Sequence, residues 1–272
     1  MTVIVVATTD EHINSLVGLC PPVYRREKAA EHHYSPAQEI LWDKHCEFWA
    51  YVTRLKRKFK CEVWSVHLGD LGDINFHNKV GLISLNENDI VGAVGDVLEP
   101  ARAVYDRWFL LRGTAAHTRQ QAQLDERIAK EFHAEPDESG YYAWWNLSLL
   151  VEGKLFNCGH HPHTAGHRPW TRQQAAERQS EIILSNCARQ KRTVPDVVLR
   201  GHCHYFADSG TGIVPRTFFV PAWSWPDSFS YRLGAGEEIE PIGGLIFICK
   251  DGGYEMKDWR WAPEEVEPWQ PK

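Results

Sequence analysis

Apolar and polar positions recur along the chain with two different periods, and the changes of period mark its elements. Val3-Ile4-Val5-Val6-Ala7 is an unbroken, largely β-branched run ending at Thr8-Thr9-Asp10. A run that short and that apolar predicts a strand buried on both faces. Residues 62–68 alternate and are rich in Val and Trp, predicting a second strand that runs into Gly69-Asp70. Residues 108–112 predict a third, running into Gly113, and residues 197–200 another, running into Gly201-His202. Residues 144–150 and 154–158 predict a hairpin turning at Glu152-Gly153, whose second arm runs into Gly159-His160. Residues 217–220 and 244–249 predict later strands.

Between these strands the period is helical, over residues 36–58, 86–106, 119–133 and 171–190. The first helix opens on Ser35-Pro36, a start signal, and carries Leu41, Phe48, Val52 and Leu55 at helical spacing. It closes on the basic run 54–60, which suits a helix carboxyl end and needs no phosphate to explain it. Strands alternating with helices predict an α/β fold. In such folds functional groups gather at the carboxyl ends of strands, so the strand-end Asp and His residues are expected along one edge.

Composition narrows the classes. The 272 residues suffice for one large domain, expected over residues 1–262, with a poorly ordered acidic tail at 263–272. The net charge of −6 argues against a protein that coats duplex DNA through phosphate contacts. It leaves room for an enzyme whose bound cations supply local positive charge. No stretch approaches the roughly 18–20 apolar residues of a membrane span, and the start has no basic leader pattern, so a cytoplasmic location is expected. The seven scattered cysteines form no CxxC pair and are expected to be reduced thiols.

The fourteen histidines matter because of where they cluster. The strand ends carry Asp10-Glu11-His12, Gly69-Asp70-Leu71-Gly72-Asp73, Gly113-Thr114-Ala115-Ala116-His117, Gly159-His160-His161 and Gly201-His202-Cys203-His204. Each block alone is weak, since a lone Asp-x-His or His-x-His at a strand end is commonly an ordinary turn. Together they place carboxylates and imidazoles, the ligands that suit Mn, Fe, Zn or Ni, at one edge. Alternate residues point to the same side, so each x-spaced pair aims two ligands at one point.

In this order the blocks resemble the calcineurin-like metallophosphoesterase family, whose pattern is DxH, GDxxD, GNH followed by Asp or Glu, a lone His, and GHxH. Four of the five match directly across residues 10–204. Pro221-Ala222-Trp223 is similar to the versions found in phage and prophage genomes. The resemblance implies a four-layer αββα fold, a central two-sheet β-sandwich flanked by helices, with the active site at strand carboxyl ends. It implies two divalent metal ions, Mn2+ first, with Fe, Zn or Ni as alternatives. Asp10, His12 and His204 would hold one ion, Asp70 would bridge both, and His160 and His202 would hold the other. His160 and His161 could exchange roles, and Asp73 would orient the site. The third block departs from the pattern: Thr114 stands where the family has a ligating Asn, and His117 comes two residues later than the catalytic His. Thr114 could ligate through its hydroxyl or a water could take that place, so the second site is expected to be the weaker.

The implied activity is hydrolysis of a phosphate ester by water activated between the ions, with Asp70 and His117 catalytic and His117 the general acid. A phosphodiester of a nucleotide or single-stranded nucleic acid is the favoured substrate. His77, His161, His163 and Arg168 are expected near it, and Trp223 could stack on a base. One rival is a phosphomonoesterase acting on a nucleotide, phosphoprotein or small metabolite. The other is a non-catalytic metal-binding module on the same fold.

Overall fold

Residues 1–74, 81–119, 122–166, 168–226 and 240–263 are described by a computed structural model. In chain order the elements are β1 (Thr2–Thr8), β2 (Val23–Tyr24), β3 (His32–His33), α1 (Pro36–Phe59), β4 (Glu62–His67), α2 (Glu87–Arg102), β5 (Arg107–Leu111), α3 (Ala115–Thr118), α4 (Gln123–Glu131), β6 (Ala143–Trp144), β7 (Leu147–Val151), β8 (Lys154–Gly159), α5 (Arg172–Gln190), β9 (Val197–Arg200), β10 (Ala207–Asp208), β11 (Arg216–Phe219), β12 (Ile242–Lys250) and β13 (Gly253–Trp261).

The apolar run of β1 is central because both its faces are covered. Val3, Val5 and Ala7 pack between two sheets with Val66, Phe156, Leu199 and Phe218. Ile4 and Val6 face the other way, toward Leu41, Phe48 and Val52 of α1 and Val94 and Val97 of α2. The first sheet has the order β13-β12-β1-β4-β5-β6 and the second β10-β11-β9-β8-β7. Helix α5 closes the far side, setting Ala175 and Ala176 against Ala207 and Phe219. The layers therefore run helix, sheet, sheet, helix, as the αββα expectation had them. Strands β1, β4, β5 and β6 run parallel, and so do β8, β9 and β11. Each sheet thus delivers several carboxyl ends to one edge.

Local signals explain the ends of elements. Ser35 and Gln38 form a reciprocal capping box at the start of α1. At its other end Lys56 donates to the Val104 carbonyl and the Asp106 carboxylate, at 2.7 and 2.8 Å. The β7–β8 hairpin turns through Glu152 and Gly153 at φ 49° and 80°, the conformation a two-residue hairpin favours. Two sequence expectations need correction. Residues 144–150 are not one strand: β6 pairs with β5 in the first sheet, β7 pairs with β8 in the second, and the chain crosses at Trp145-Asn146. The helix expected over 119–133 is the shorter α4, because Arg119 and Ala122 take positive φ, which a right-handed helix does not admit. Among the described residues no helix is long and apolar enough to cross a membrane. His77 and the tail beyond residue 263 lie outside the described residues.

Candidate metal centre

The exits of β1, β4 and β9 turn sharply. Asp10, His12, Asp70, His202 and His204 have φ of 55°, 46°, 55°, 68° and 58°. This left-handed region is uncommon outside glycine, although Asp and His enter it more readily than most residues. It bends the chain within four residues of each strand's end, so that these side chains meet at one edge. Backbone bonds lace the exits together: Asp10 N donates to Gly69 O and His12 N to Asp70 O, both at 3.1 Å, and Gly201 N donates to His160 O at 3.0 Å. Two glycines make room. A Cβ on Gly113 would lie 2.0 Å from Asp70 Oδ1, and one on Gly201 would lie 2.3 Å from Thr9 Oγ1.

Two groups of ligand atoms result. In the first, Asp10, His12 and His204 bring their atoms within 4.8 Å of one another. His12 Nε2 and His204 Nε2 are 3.1 Å apart, and His204 Nε2 is 3.3 Å from Asp10 Oδ1. Asp10 Oδ2 accepts from Thr9 Oγ1 at 2.7 Å and from His202 N at 2.9 Å. Asp10 Oδ1 is buried and faces the His204 and His12 imidazoles at 3.3 and 3.7 Å, without a hydrogen bond of good geometry to either. A buried carboxylate oxygen left in that state is costly unless a cation meets it.

The second group centres on Asp70 and His160. Asp70 Oδ1 accepts from Thr114 N at 2.6 Å, and Asp70 Oδ2 lies 3.0 Å from His160 Nε2. His160 Nδ1 donates to the Leu68 carbonyl at 2.9 Å. In the neutral ring Nε2 therefore carries a lone pair, and it faces a carboxylate. Only a proton or a metal ion resolves that contact. Burial alone would lower the His160 pKa, but the Asp70 and Asp10 carboxylates outweigh it and push it up to about 9. Burial likewise raises Asp10, yet His204, His160 and His12 together hold it well below the carboxylate range. Burial, then the neighbouring imidazoles, pushes His12 down to about 3 and His161 to about 4, and lowers His202. Neutral imidazoles converging on anionic carboxylates are a donor set that fits divalent ions. Asp70 belongs to a group with His12 and His117 and to another with Asp10 and His160, so it lies between the two.

His117 rejoins the site despite its late position. The added residues form the single turn α3, whose start at Thr114 places His117 N on the Thr114 carbonyl. The His117 ring lies 4.4 Å from that of His12, and its Nδ1 is 3.1 Å from Asp73 Oδ1. The spacing departure is thus absorbed by one turn of helix.

Three supporting groups went unread in the sequence. Asp125 Oδ2 accepts from Gly113 N at 2.8 Å, while its Oδ1 is buried without a hydrogen-bond partner. Burial raises its pKa to about 7, and Asp70 adds to the shift. Its signal was available: Asp125 precedes the buried Ile128 and Ala129 by three and four residues, on the apolar stripe of α4. Glu11 and His67 form a buried pair joining the exits of β1 and β4. Gly69 N donates to His67 Nδ1 at 3.1 Å, which leaves His67 Nε2 as the donor to Glu11. No local pattern marks this pair.

The expected substrate residues fare unevenly. His161 lies at the second group, with Nε2 3.2 Å from Thr114 Oγ1. His163 instead meets α5, its backbone N donating to Gln179 Oε1 at 2.7 Å. Arg168 is exposed, with its guanidinium over the Trp170 ring. Trp223 is a correction: it is 0% exposed and packs against His45, Phe48 and Trp259, so it offers no face to a base. Its backbone N donates to Thr9 O, which draws the ring beneath the site into the helix-side core. Trp145, just beyond the carboxyl end of β6, is 62% exposed. It lies over the guanidinium of Arg112, the residue before Gly113, and that guanidinium is held by the Ala143 carbonyl and Glu126.

The sequence matches no family model and no curated protein. Among solved structures it is similar to a dimetal phosphatase from Danio rerio, at 11% identity and TM-score 0.44, covering 93% of this chain and 95% of that one. It is also similar to the sulfate thiohydrolase SoxB of Thermus thermophilus, at 10% identity and TM-score 0.40, covering 94% of this chain and 55% of the other. A 5'-nucleotidase precursor from Thermus thermophilus gives 12% identity and TM-score 0.40, covering 94% and 54%. The chain spans about half the length of the two Thermus proteins.

Proposed function

We propose that this chain hydrolyses phosphate esters with the help of two divalent metal ions. The observation that carries the reading is the position of Asp70 between two groups of imidazole and carboxylate atoms, beside the buried Oδ1 of Asp10 that faces the His12 and His204 rings. Ions held there lower the pKa of water toward neutrality and neutralise charge on a phosphoryl group. Asp10, His12 and His204 would hold one ion; His160, His202 and Thr114 would contribute to the other; Asp70 would serve both. Thr9 and the His202 N–H fix the Asp10 carboxylate. Asp73 accepts from His117 Nδ1, so His117 Nε2 is the nitrogen that delivers a proton to the leaving oxygen. General acid help of this kind contributes about 10²–10⁴ in rate, and an alkoxide leaving group depends on it more than an aryloxide does.

Within that reading the favoured substrate is a nucleotide or nucleic-acid phosphodiester, with Mn2+ as the metal. His117 supports the diester, and the exposed Trp145 takes the stacking role first assigned to Trp223. The likeness of Pro221-Ala222-Trp223 to phage-borne versions adds a host-cytoplasm setting. The test is hydrolysis of aryl mono- and diesters, a cyclic dinucleotide and single-stranded DNA by the Mn2+-loaded protein. Asp70→Asn should abolish metal-dependent hydrolysis of every substrate while leaving the circular dichroism unchanged. Undiminished turnover in that variant overturns the reading.

A further inference from the structure

We propose that His161 is itself a ligand of the second metal site, supplying the donor that is lost where Thr114 stands in place of Asn. The inference rests on the two-metal reading above. His160, His161 and His202 place their ring nitrogens within 4.8 Å of one another. Thr114 Oγ1 lies 3.2, 3.2 and 3.3 Å from His160 Nε2, His161 Nε2 and His202 Nδ1. Atoms bound at about 2.0–2.2 Å to one ion stand roughly 3.0–3.5 Å apart; Thr114 Oγ1 keeps that spacing from each of the three nitrogens, which themselves gather within 4.8 Å. The His161 ring packs edge-on to His160 and tilted on His202, with centroids 4.6 and 4.7 Å apart. It therefore follows the cluster inward although its residue is solvent-exposed.

A hydroxyl has one proton to give and two lone pairs. Three imidazoles around one hydroxyl exhaust that capacity and require two of them to present N–H groups to it. An ion accepts a lone pair from all three nitrogens at once, with Asp70 as the anionic partner. The site would then be three imidazoles and a carboxylate, with the Thr114 hydroxyl beside them. Such a site is richer in nitrogen than the Asp10–His12–His204 group, so two bound ions would sit in chemically different environments.

The test is Mn2+ binding to the chelator-stripped full chain, followed by calorimetry and by equilibrium dialysis. Wild-type protein should bind two ions. Loss of a residue that merely supports a ligand already costs roughly 10–100-fold in affinity. His161→Ala should therefore weaken one site by about a hundredfold or more and leave the other unchanged. In a Thr114→Asn background the same substitution should cost less than about threefold, because the amide oxygen restores the missing donor. Two Mn2+ bound with wild-type affinities by His161→Ala, or an equal penalty in both backgrounds, overturns the proposal. Failure of the underlying two-metal reading looks different: Asp10→Asn and Asp70→Asn would then bind Mn2+ as the wild type does.

Discussion

Asp10, His12, Asp70, His202 and His204 all hold a left-handed backbone at the exits of their strands. Each such residue costs of order 1–3 kcal/mol and persists only where its surroundings determine it. Here the determinants are the cross-loop hydrogen bonds and the glycines that let neighbouring exits touch. The glycines were visible beside the ligand-type residues, and the ligand types were visible too. What Gly113 accommodates was not: its missing Cβ leaves room for the Asp70 carboxylate, which comes from another strand. Gly113→Ala should displace Asp70 and reduce Mn2+ affinity at least tenfold with the secondary structure retained; dialysis against Mn2+ measures this, and unaltered binding would contradict the packing argument. Glu11 and His67 mark the limit of reading by residue type, because each matters through a partner remote in sequence.

Elements decide which residues reach the site. The parallel exits of β1, β4, β5 and of β8, β9 explain why blocks spread over residues 10–204 meet; the hydrophobic pattern marked the strand ends, and the α/β class implied their gathering at one edge. The extra turn α3 did not follow, since four residues are too few to show a period. Nor did the crossing at Trp145-Asn146: Asn146 interrupts the strand formers, but no local mark says that the chain changes sheets there. That crossing leaves Trp145 outside, while the chain after β11 carries Trp223 inside. The two tryptophans should therefore separate cleanly by substitution. Trp223→Ala should lower stability by about 3–5 kcal/mol in a urea melt, the usual cost of emptying a large buried aromatic site. Trp145→Ala should lower stability by no more than about 1 kcal/mol, the worth of an exposed cation–π contact, and raise KM for base-bearing esters more than for methyl phosphate diesters. A KM unchanged for both substrates would remove Trp145 from the substrate surface.

At the scale of the whole molecule, two sheets and their helices hold an edge where buried charge of one sign meets histidines. Asp125 is the carboxyl whose pKa rises there, from the ordinary 3.8 to about 7. A carboxyl that binds its proton more tightly when folded makes stability fall as pH rises between those two values. Asp125→Asn keeps an acceptor for Gly113 N–H and cannot ionise. Relative to wild type, the metal-free variant should thus gain stability between pH 4.5 and pH 7.5, read from urea melts at the two pH values; a constant difference would show that Asp125 is not the group responsible. By itself the sequence determined the α/β class and the strand-end positions of Asp10, His12, Asp70, His160, His202 and His204, because period and residue chemistry are local properties. Only the tertiary structure decided that Trp223 is core, that His117 returns to Asp73, that His161 joins the second group and that Asp125 backs Gly113. Those outcomes depend on distances between segments far apart in the chain, which packing sets and local pattern does not encode.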